Sequence, residues 1–442
     1  MSVTTHTMES FRSRYDADPV RRALEGPIGV VGLAKASRRA DVVRRHTFEF
    51  SVTVPAGEIT NQKKSGRCWI FASCTSLRAA LMERYETKDF RLAPSYVFFY
   101  DKIEKANTFL DHIEDTLDAA DDDRVVRAAL DSVVSDGGDW DYFVSLVKKW
   151  GIVPYQAMPD TENSTDSHRM VEQMNSHLRH AAALMRRAHR EGRVAQIPAI
   201  REEALYAVYG IARACLGTPP SEFTYGYRDK DDTYHRIGPM TPRAFVTDVL
   251  GEDVLDSRVV IGYDPRPAHP VHRLLRVPHN KSVAEGRALS ALTVTLEEMK
   301  AAVIAQLRSG QAVYFGCDVD RDTDRELGIM DPQLFDWQTM LPALASISDA
   351  ERVAVGEVVP THAMAFTGVD LDEQERPVNW RVENSWGEDS GRKGVYSMSD
   401  GWFDRHMVTC VVDKRHLSEE ILAGLAAEPI DLEPWDALFG AV

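Results

Sequence analysis

Hydrophobic and polar positions follow different patterns in the two halves of the chain. An apolar run without Gly or Pro predicts a buried helix that begins at or near Cys68. A second helix is predicted after Pro94, with Ser95 as its N-cap. From about residue 256 the pattern favours strands, so the chain is predicted to pass from helix-rich to strand-rich. Other predicted helices cover 123–134, 167–193, 202–215 and 296–309, and predicted strands cover 48–54, 258–263, 311–319, 362–369, 380–382 and 407–412.

Composition is typical of a globular protein with a large core. The chain has 442 residues, of which 44% are hydrophobic and 27% are charged, and this length suits two or three structural units. No stretch reaches the roughly 18 apolar residues that indicate a transmembrane helix. Residues 1–10 lack the basic and apolar regions of a signal peptide. A cytoplasmic protein without a membrane partner is therefore expected.

Charge and cysteine usage exclude several classes of function. The net charge of −16 argues against a general nucleic-acid binder. The five cysteines are widely spaced and include no Cys-x-x-Cys pair, so neither a disulfide framework nor a zinc site is indicated. Thiols in a reducing compartment fit this pattern better. No cofactor and no metal are expected.

A basic cluster on the predicted helix 167–193 requires its own explanation. Its arginines are Arg179, Arg186, Arg187, Arg190 and Arg193. A solvated face or a salt-bridged subunit contact is favoured over a nucleic-acid patch, because the whole chain is strongly acidic. Nucleic acid is accordingly not expected as a partner.

Cys68 is a candidate nucleophile because it stands where a polar loop meets an apolar helix. A thiol at a helix N-terminus faces unpaired backbone N–H groups and the positive end of the helix dipole, and both favour the thiolate. Gln62, six residues earlier, is placed to offer its side-chain amide to an oxyanion. A free cysteine is often simply buried, so this stretch alone leaves a structural role open.

Two later segments supply the residue types that would activate such a cysteine. His362 begins a predicted apolar strand, and Asn384 and Trp386 follow 22 and 24 residues later. Histidine would take the Cys68 proton, asparagine would orient the imidazole, and tryptophan would shield their bond from water. Each residue alone has a common structural explanation. Their combination with Cys68 favours nucleophilic catalysis.

Gly137 and Gly138 lie between two predicted helices. Paired glycines leave the backbone uncovered, so a ligand main chain can approach it. A tight turn explains the same pair and is favoured by this segment alone.

Several segments together resemble the papain-type cysteine peptidases, and within them the bleomycin hydrolase and aminopeptidase C branch. The resemblance spans nearly the whole chain, and its segments are 61–72, 95–107, 137–140, 216–231, 264–270, 315–319, 361–369 and 381–399. The spacing from Cys68 to His362 is 294 residues, whereas papain-like enzymes place the histidine about 130–150 residues downstream. The block 156–255 and extra loops would account for the excess.

The resemblance implies an α+β, papain-like fold with a helical insertion and N- and C-terminal arms. Residues 1–155 are expected to form an N-terminal arm and the helical half, which carries the nucleophile. Residues 156–255 are expected to form the insertion, with a role in oligomerisation. Residues 256–428 would form the β-rich half with His362 and Asn384, and 429–442 the C-terminal arm. A homohexamer is implied as the assembly.

The activity implied by the resemblance is that of a cysteine aminopeptidase, which forms a thioester on peptides with a free N-terminus. Cys68, His362, Asn384 and Gln62 are the implied catalytic residues. Gly137, Gly138, Trp386 and Val442 are the implied substrate-binding residues, and a bleomycin-hydrolase-like activity is included.

The C-terminal segment departs from the usual pattern of this branch. It keeps Pro434-Trp435-Asp436 and a small apolar end, but the residues between differ. Without the resemblance, a frayed tail would be the simpler interpretation.

Two hypotheses from different classes compete with the peptidase. One is a catalytically silent binding or assembly protein that keeps the fold, which the presence of Gln62, Cys68, His362 and Asn384 argues against. The second is nucleic-acid binding through the basic cluster on 167–193, which requires an affinity that falls with salt.

Overall fold

Residues 2–45 contain four short helices and are referred to below as the N-terminal arm. The structure is a computed structural model that describes residues 2–342 and 344–440, apart from the side chain of Glu252. No described residue of the first two helices is buried. Within the described part of the chain, no helix combines the length and apolar character needed to cross a membrane. The helices are α1 (Thr5–Asp16), α2 (Pro19–Val31), α3 (Leu33–Ser37) and α4 (Ala40–Arg45).

A strand and four helices follow the arm. The predicted strand 48–54 is wrong in extent, because Phe48 has a φ of 65° and only the last part of the run pairs with a strand. Ser95 is not an N-cap: the helix begins one residue earlier at Pro94, which is favoured in the first turn. The elements are β1 (Val52–Thr53), α5 (Cys68–Arg84), α6 (Pro94–Asp115), α7 (Arg124–Asp131) and α8 (Trp140–Trp150).

Residues 156–255 contain a hairpin that the helical pattern does not predict, besides long helices. The basic cluster on the second of these helices is salt-bridged within the chain: Arg186 and Arg190 contact Asp121, and His189 contacts Asp118. The elements are α9 (Glu162–Thr165), α10 (His168–Arg190), α11 (Ile197–Leu216), β2 (Phe223–Arg228), β3 (Tyr234–Met240), α12 (Pro242–Phe245) and α13 (Glu252–Asp256).

The second half of the chain is built on one large, mostly antiparallel sheet. The strands and helices are β4 (Arg258–Gly262), β5 (Leu274–Val277), β6 (Leu289–Thr293), α14 (Leu296–Arg308), β7 (Val313–Cys317), β8 (Thr323–Asp324), β9 (Ile329–Met330), α15 (Trp337–Met340), α16 (Asp349–Ala354), β10 (His362–Leu371), β11 (Pro377–Glu383), β12 (Val395–Ser399), α17 (Asp400–His406), β13 (Met407–Asp413), α18 (Glu419–Ala423) and β14 (Ile430–Asp431). Their order in the sheet is β14-β5-β6-β4-β13-β7-β10-β11-β12-β9-β8, with β1 on β10. The expected α+β class is confirmed.

Two hydrophobic cores meet at α5. The larger one lies among the helices and includes Trp69, Phe98 and Trp140. The other covers the sheet and includes Phe315, Phe366 and Trp380. Helix α5 packs against both β10 and β7. The helix that begins at Cys68 therefore lies directly against the strand that begins at His362.

Candidate active site

Cys68 is the first residue of α5 and is half-buried. Burial raises the pKa of its thiol, while the backbone N–H groups of Ala363, Trp69 and Cys68 lower it. The helix N-terminus thus favours the thiolate through the Trp69 and Cys68 N–H groups, but desolvation is the larger effect and raises the pKa of Cys68. The Ala363 contact also places the sulfur beside the residue that follows His362.

His362 and Asn384 form a buried hydrogen-bonded pair. Nε2 of His362 lies 2.9 Å from Oδ1 of Asn384. An amide oxygen only accepts hydrogen bonds, so Nε2 carries the proton and Nδ1 of the neutral ring is the free base. Burial lowers the pKa of His362 to about 4, and the bond to Asn384 acts in the opposite direction. Strand pairing of β10 with β11 brings the two residues together.

Trp386 covers the imidazole of His362. The two ring centroids are 4.7 Å apart and the planes differ by 25°, a stacked arrangement. The guanidinium of Arg325 lies 4.1 Å from the Trp386 ring centroid. Stacking keeps water from one face of the His362 ring, and the residue as a whole is only 9% exposed. The role of Trp386 in shielding the bond between His362 and Asn384 stays a prediction.

Gln62 is fixed by hydrogen bonds at both ends of its side-chain amide. Nε2 donates to the carbonyl oxygen of Ser65 at 2.6 Å, and Oε1 accepts from the hydroxyl of Ser385 at 2.6 Å. An amide nitrogen has two hydrogens, so one N–H remains for a further acceptor. Ser385 is not among the residues predicted from the sequence, although it stands between Asn384 and Trp386.

The backbone at Gly138 approaches the Trp69 side chain so closely that only glycine fits at this position. A Cβ atom at this position would lie 2.4 Å from the indole of Trp69. Among the residues that the structure describes, neither the N–H nor the C=O of Gly138 has a hydrogen-bond partner. The carbonyl of the preceding Gly137 instead accepts a hydrogen bond from Lys105. The pair therefore combines a packing role with an available backbone donor and acceptor.

Val442 lies outside the described residues. The segment before it is docked rather than frayed, since Leu438 and Phe439 are buried. Within the described part of the chain, no cluster of His, Cys, Asp and Glu is placed to hold a metal ion.

A cysteine at a helix start beside a histidine–asparagine pair, on a mixed helix and sheet fold, defines the class of papain-like cysteine peptidases. The sequence profile of the peptidase C1-like family matches residues 2–439. The chain belongs to this family.

Relatives of known name cover almost the whole chain. Bleomycin hydrolase of Rattus norvegicus is 37% identical over 401 residues, which are 89% of this chain and 88% of that protein. Aminopeptidase G of Lactobacillus delbrueckii subsp. lactis is 35% identical over 436 residues, 99% of each chain. The crystal structure of PepW from Lactobacillus rhamnosis HN001 superposes with a TM-score of 0.95 at 34% identity, covering 99% of this chain and 98% of that one.

Proposed function

We propose that the protein is a cysteine aminopeptidase that removes N-terminal residues from short peptides through a thioester intermediate. The observation that carries the proposal is the bond between His362 and Asn384, beside the backbone contact from Ala363 to the Cys68 sulfur. The names of the relatives, aminopeptidase and bleomycin hydrolase, support peptide substrates. A bleomycin-hydrolase-like activity would use the same site.

The proposed reaction begins with transfer of the Cys68 proton to Nδ1 of His362. Burial opposes charge on each group alone, so the two charges form together and stabilise each other. The thiolate attacks the carbonyl carbon, and the oxyanion accepts hydrogen bonds from the Gln62 amide and the Cys68 backbone N–H.

Collapse of this intermediate expels the leaving amine, which takes the proton from His362 and leaves an acyl group on the sulfur. His362 then removes a proton from water, and the hydroxide attacks the thioester. The second collapse releases the N-terminal amino acid and returns the proton to the Cys68 sulfur. Asn384 keeps the His362 ring in one tautomer throughout.

The C-terminal arm is proposed to limit access to this site. The Asp436 carboxylate accepts hydrogen bonds from Nη1 and Nη2 of Arg266, at 2.8 and 3.0 Å, and the carbonyl oxygen of Gly440 accepts one from the side-chain amide of Asn280. These contacts hold the arm up to Gly440 against the β-rich half. We propose that the arm ending at Val442 blocks the cleft beyond one residue, so that only a free N-terminus fits.

The assembly is proposed to be a homohexamer in the cytoplasm, with residues 156–255 contributing to subunit contacts. The unit boundaries 1–155, 156–255, 256–428 and 429–442 belong to this proposal. Exposed apolar side chains on the N-terminal arm support association with other copies: Met8, Phe11 and Val30 are 55%, 51% and 86% exposed. Free thiols at all five cysteines fit a reducing compartment.

The test is turnover of an aminoacyl fluorogenic peptide substrate by wild type, Cys68→Ala and Cys215→Ala. The proposal expects no turnover by Cys68→Ala and full turnover by Cys215→Ala, which removes another half-buried thiol. Iodoacetamide should label Cys68 and stop turnover at the same rate. Full activity of Cys68→Ala would refute the proposal.

A further inference from the structure

Asp136 connects the segment before Cys68 to the segment that carries the glycine pair. Its Oδ2 atom accepts a hydrogen bond of 3.1 Å from the backbone N–H of Gly66, and a short bond from the hydroxyl of Ser167. Its carbonyl oxygen accepts a bond of 2.8 Å from the indole N–H of Trp69. Asp136 thus contacts residues on both sides of the predicted nucleophile.

The two segments are also in steric contact. A Cβ atom on Gly66 would lie 2.6 Å from the Cβ atom of Asp136, and one on Gly138 would lie 2.4 Å from the Trp69 ring. Real Cβ contacts are not this short, so both glycines allow the segments to approach. Asp136 and Gly138 therefore both lie where this segment packs against the start of α5.

The side chain of Asp136 belongs to a buried ionic cluster with Asp101, Lys102 and Lys105. Nζ of Lys102 lies 3.0 Å from Oδ1 of Asp136 and 3.0 Å from Oδ2 of Asp101. Lys105 contacts Asp101 at 3.1 Å and donates to the carbonyl oxygen of Gly137. Two carboxylates and two ammonium groups balance in charge, as buried ions require.

We propose that Asp136 is a positioning residue that fixes Gly138 relative to Cys68. A substrate main chain bound to Gly138 then has its carbonyl carbon placed for attack by the Cys68 sulfur. The inference rests on the proposed function, because it assigns the unpaired N–H and C=O of Gly138 to the substrate. Neither the nucleophile nor its base needs Asp136 for reaction with a small reagent. Its loss should therefore impair reactions that use Gly138 and spare those that do not.

The charge of Asp136 provides a second, independent readout. Burial is the largest cause of the raised pKa of Cys68, and the negative charge of Asp136 also raises it. Asp136→Asn removes that charge, so the pKa of Cys68 should fall. A loss of packing alone would not lower it.

The experiment compares two alkylating reagents on the full-length protein. Iodoacetamide reports the reactivity of the Cys68 thiolate, and leucyl chloromethyl ketone reports alkylation guided by substrate contacts. For Asp136→Asn we expect the rate of alkylation by iodoacetamide to stay within about twofold of the wild-type rate at high pH. The rate of alkylation by the ketone should fall by about tenfold or more, which corresponds to the loss of one buried hydrogen bond. The midpoint of the iodoacetamide pH profile should move to lower pH.

Two further variants keep the test decisive. Ser167→Ala removes one donor to Asp136 but keeps its charge, and should slow the ketone by about threefold with no change in the iodoacetamide midpoint. Asp331→Asn removes another buried carboxylate, which is paired with His46, and should change neither rate.

The inference would be overturned if Asp136→Asn lowered the alkylation rates with both reagents equally, or lowered neither. If Asp136→Asn does not fold, the Ser167→Ala variant decides. A wild-type rate of ketone alkylation in Ser167→Ala would overturn the inference, and a lower ketone rate with an unchanged iodoacetamide rate would support it. Wild-type protein that reacts with iodoacetamide but not with the ketone would refute the proposed function and the inference together. A normal wild type with unaffected variants would refute the inference alone.

Discussion

The hydroxyl of Ser385 donates a hydrogen bond of 2.6 Å to Oε1 of Gln62, although 323 residues separate the two in sequence. The backbone N–H of Gln62 also donates to the carbonyl oxygen of Ser385 at 2.8 Å. With Oε1 occupied, the amide has one orientation and its nitrogen is directed away from Ser385. The residue next to Asn384 thus fixes the predicted oxyanion donor.

Substitution Ser385→Ala should therefore lower kcat with little change in KM. Loss of a neutral hydrogen bond costs about 0.5–1.5 kcal/mol, so kcat should fall by about three- to tenfold. Gln62→Ala removes the donor itself and should cost about 100-fold or more. Steady-state kinetics on an aminoacyl substrate measure both.

The double variant provides the control. Once Gln62 is alanine, the hydroxyl of Ser385 has no amide to orient, so adding Ser385→Ala should cost nothing more. Additive losses in the double variant would contradict the assigned role of Ser385.

Changes at Asn384 should move the pH dependence of kcat/KM. Burial lowers the pKa of His362, and the bond to Asn384 partly opposes this. Asn384→Ala should lower that pKa further, make the imidazolium harder to form, and reduce kcat/KM by about 10- to 100-fold. Asn384→Asp places a negative charge there and should raise the pKa of His362, moving the acidic limb to higher pH. Identical pH profiles for wild type and Asn384→Asp would contradict this.

Release of the C-terminal arm should open the enzyme to blocked peptides. Asp436→Ala removes the two bonds to Arg266, a pair that is largely buried, and should increase hydrolysis of an N-acetylated peptide several-fold. Asp431→Ala is the matched control, because its ion pair with Arg276 is exposed and such pairs contribute about 0–1 kcal/mol. The measurement is the ratio of rates on acetylated and free peptides. An unchanged ratio in Asp436→Ala would contradict the gating role.

Glu383 should make the protein less stable as pH rises. Its side chain is 2% exposed, lies 3.5 Å from Arg78, and neither carboxylate oxygen accepts a hydrogen bond from any described residue. Burial raises the pKa of Glu383 to about 7 from 4.5. Because the folded pKa is the higher one, this contribution to stability is complete below about pH 4.5 and is lost as pH rises through about 7.

The variant Glu383→Gln cannot ionise and should gain stability relative to wild type between pH 5 and pH 8. The shift in pKa corresponds to a gain on the order of 3 kcal/mol in the free energy of unfolding. Urea unfolding at both pH values measures it, with the exposed Glu373→Gln as control. A difference between Glu383→Gln and wild type that does not change with pH would contradict the prediction.

Local pattern predicted the elements that carry the site, because each is a long, regular run. The helix at Cys68 begins where expected, and the strand at His362 extends to Leu371, slightly beyond the predicted end at Val369. The hairpin β2–β3 was missed although Phe223, Tyr225 and Tyr227 alternate along one strand. Its neighbourhood is dominated by helical periodicity, and glycine and proline within the hairpin weaken the strand pattern.

Long-range contacts could not be predicted from residue types. The link from Asp136 to Gly66 joins residues 70 positions apart, and a single carboxylate in a loop gives no local sign of its partner. The net direction of the pKa shift at Cys68 depends on long-range packing in the same way. A helix N-terminus is visible in sequence, whereas the desolvation that opposes it depends on what packs over the thiol.

Asn384, Ser385 and Trp386 occupy the three consecutive positions directly after β11, which ends at Glu383. A displacement of this strand end by one residue would remove the orienting amide, the support of Gln62 and the cover of His362 at once. Catalysis should therefore appear in a single kinetic phase during refolding, together with the final pairing of β11 to β10. The rate at which peptidase activity recovers would then measure the rate at which the sheet is completed.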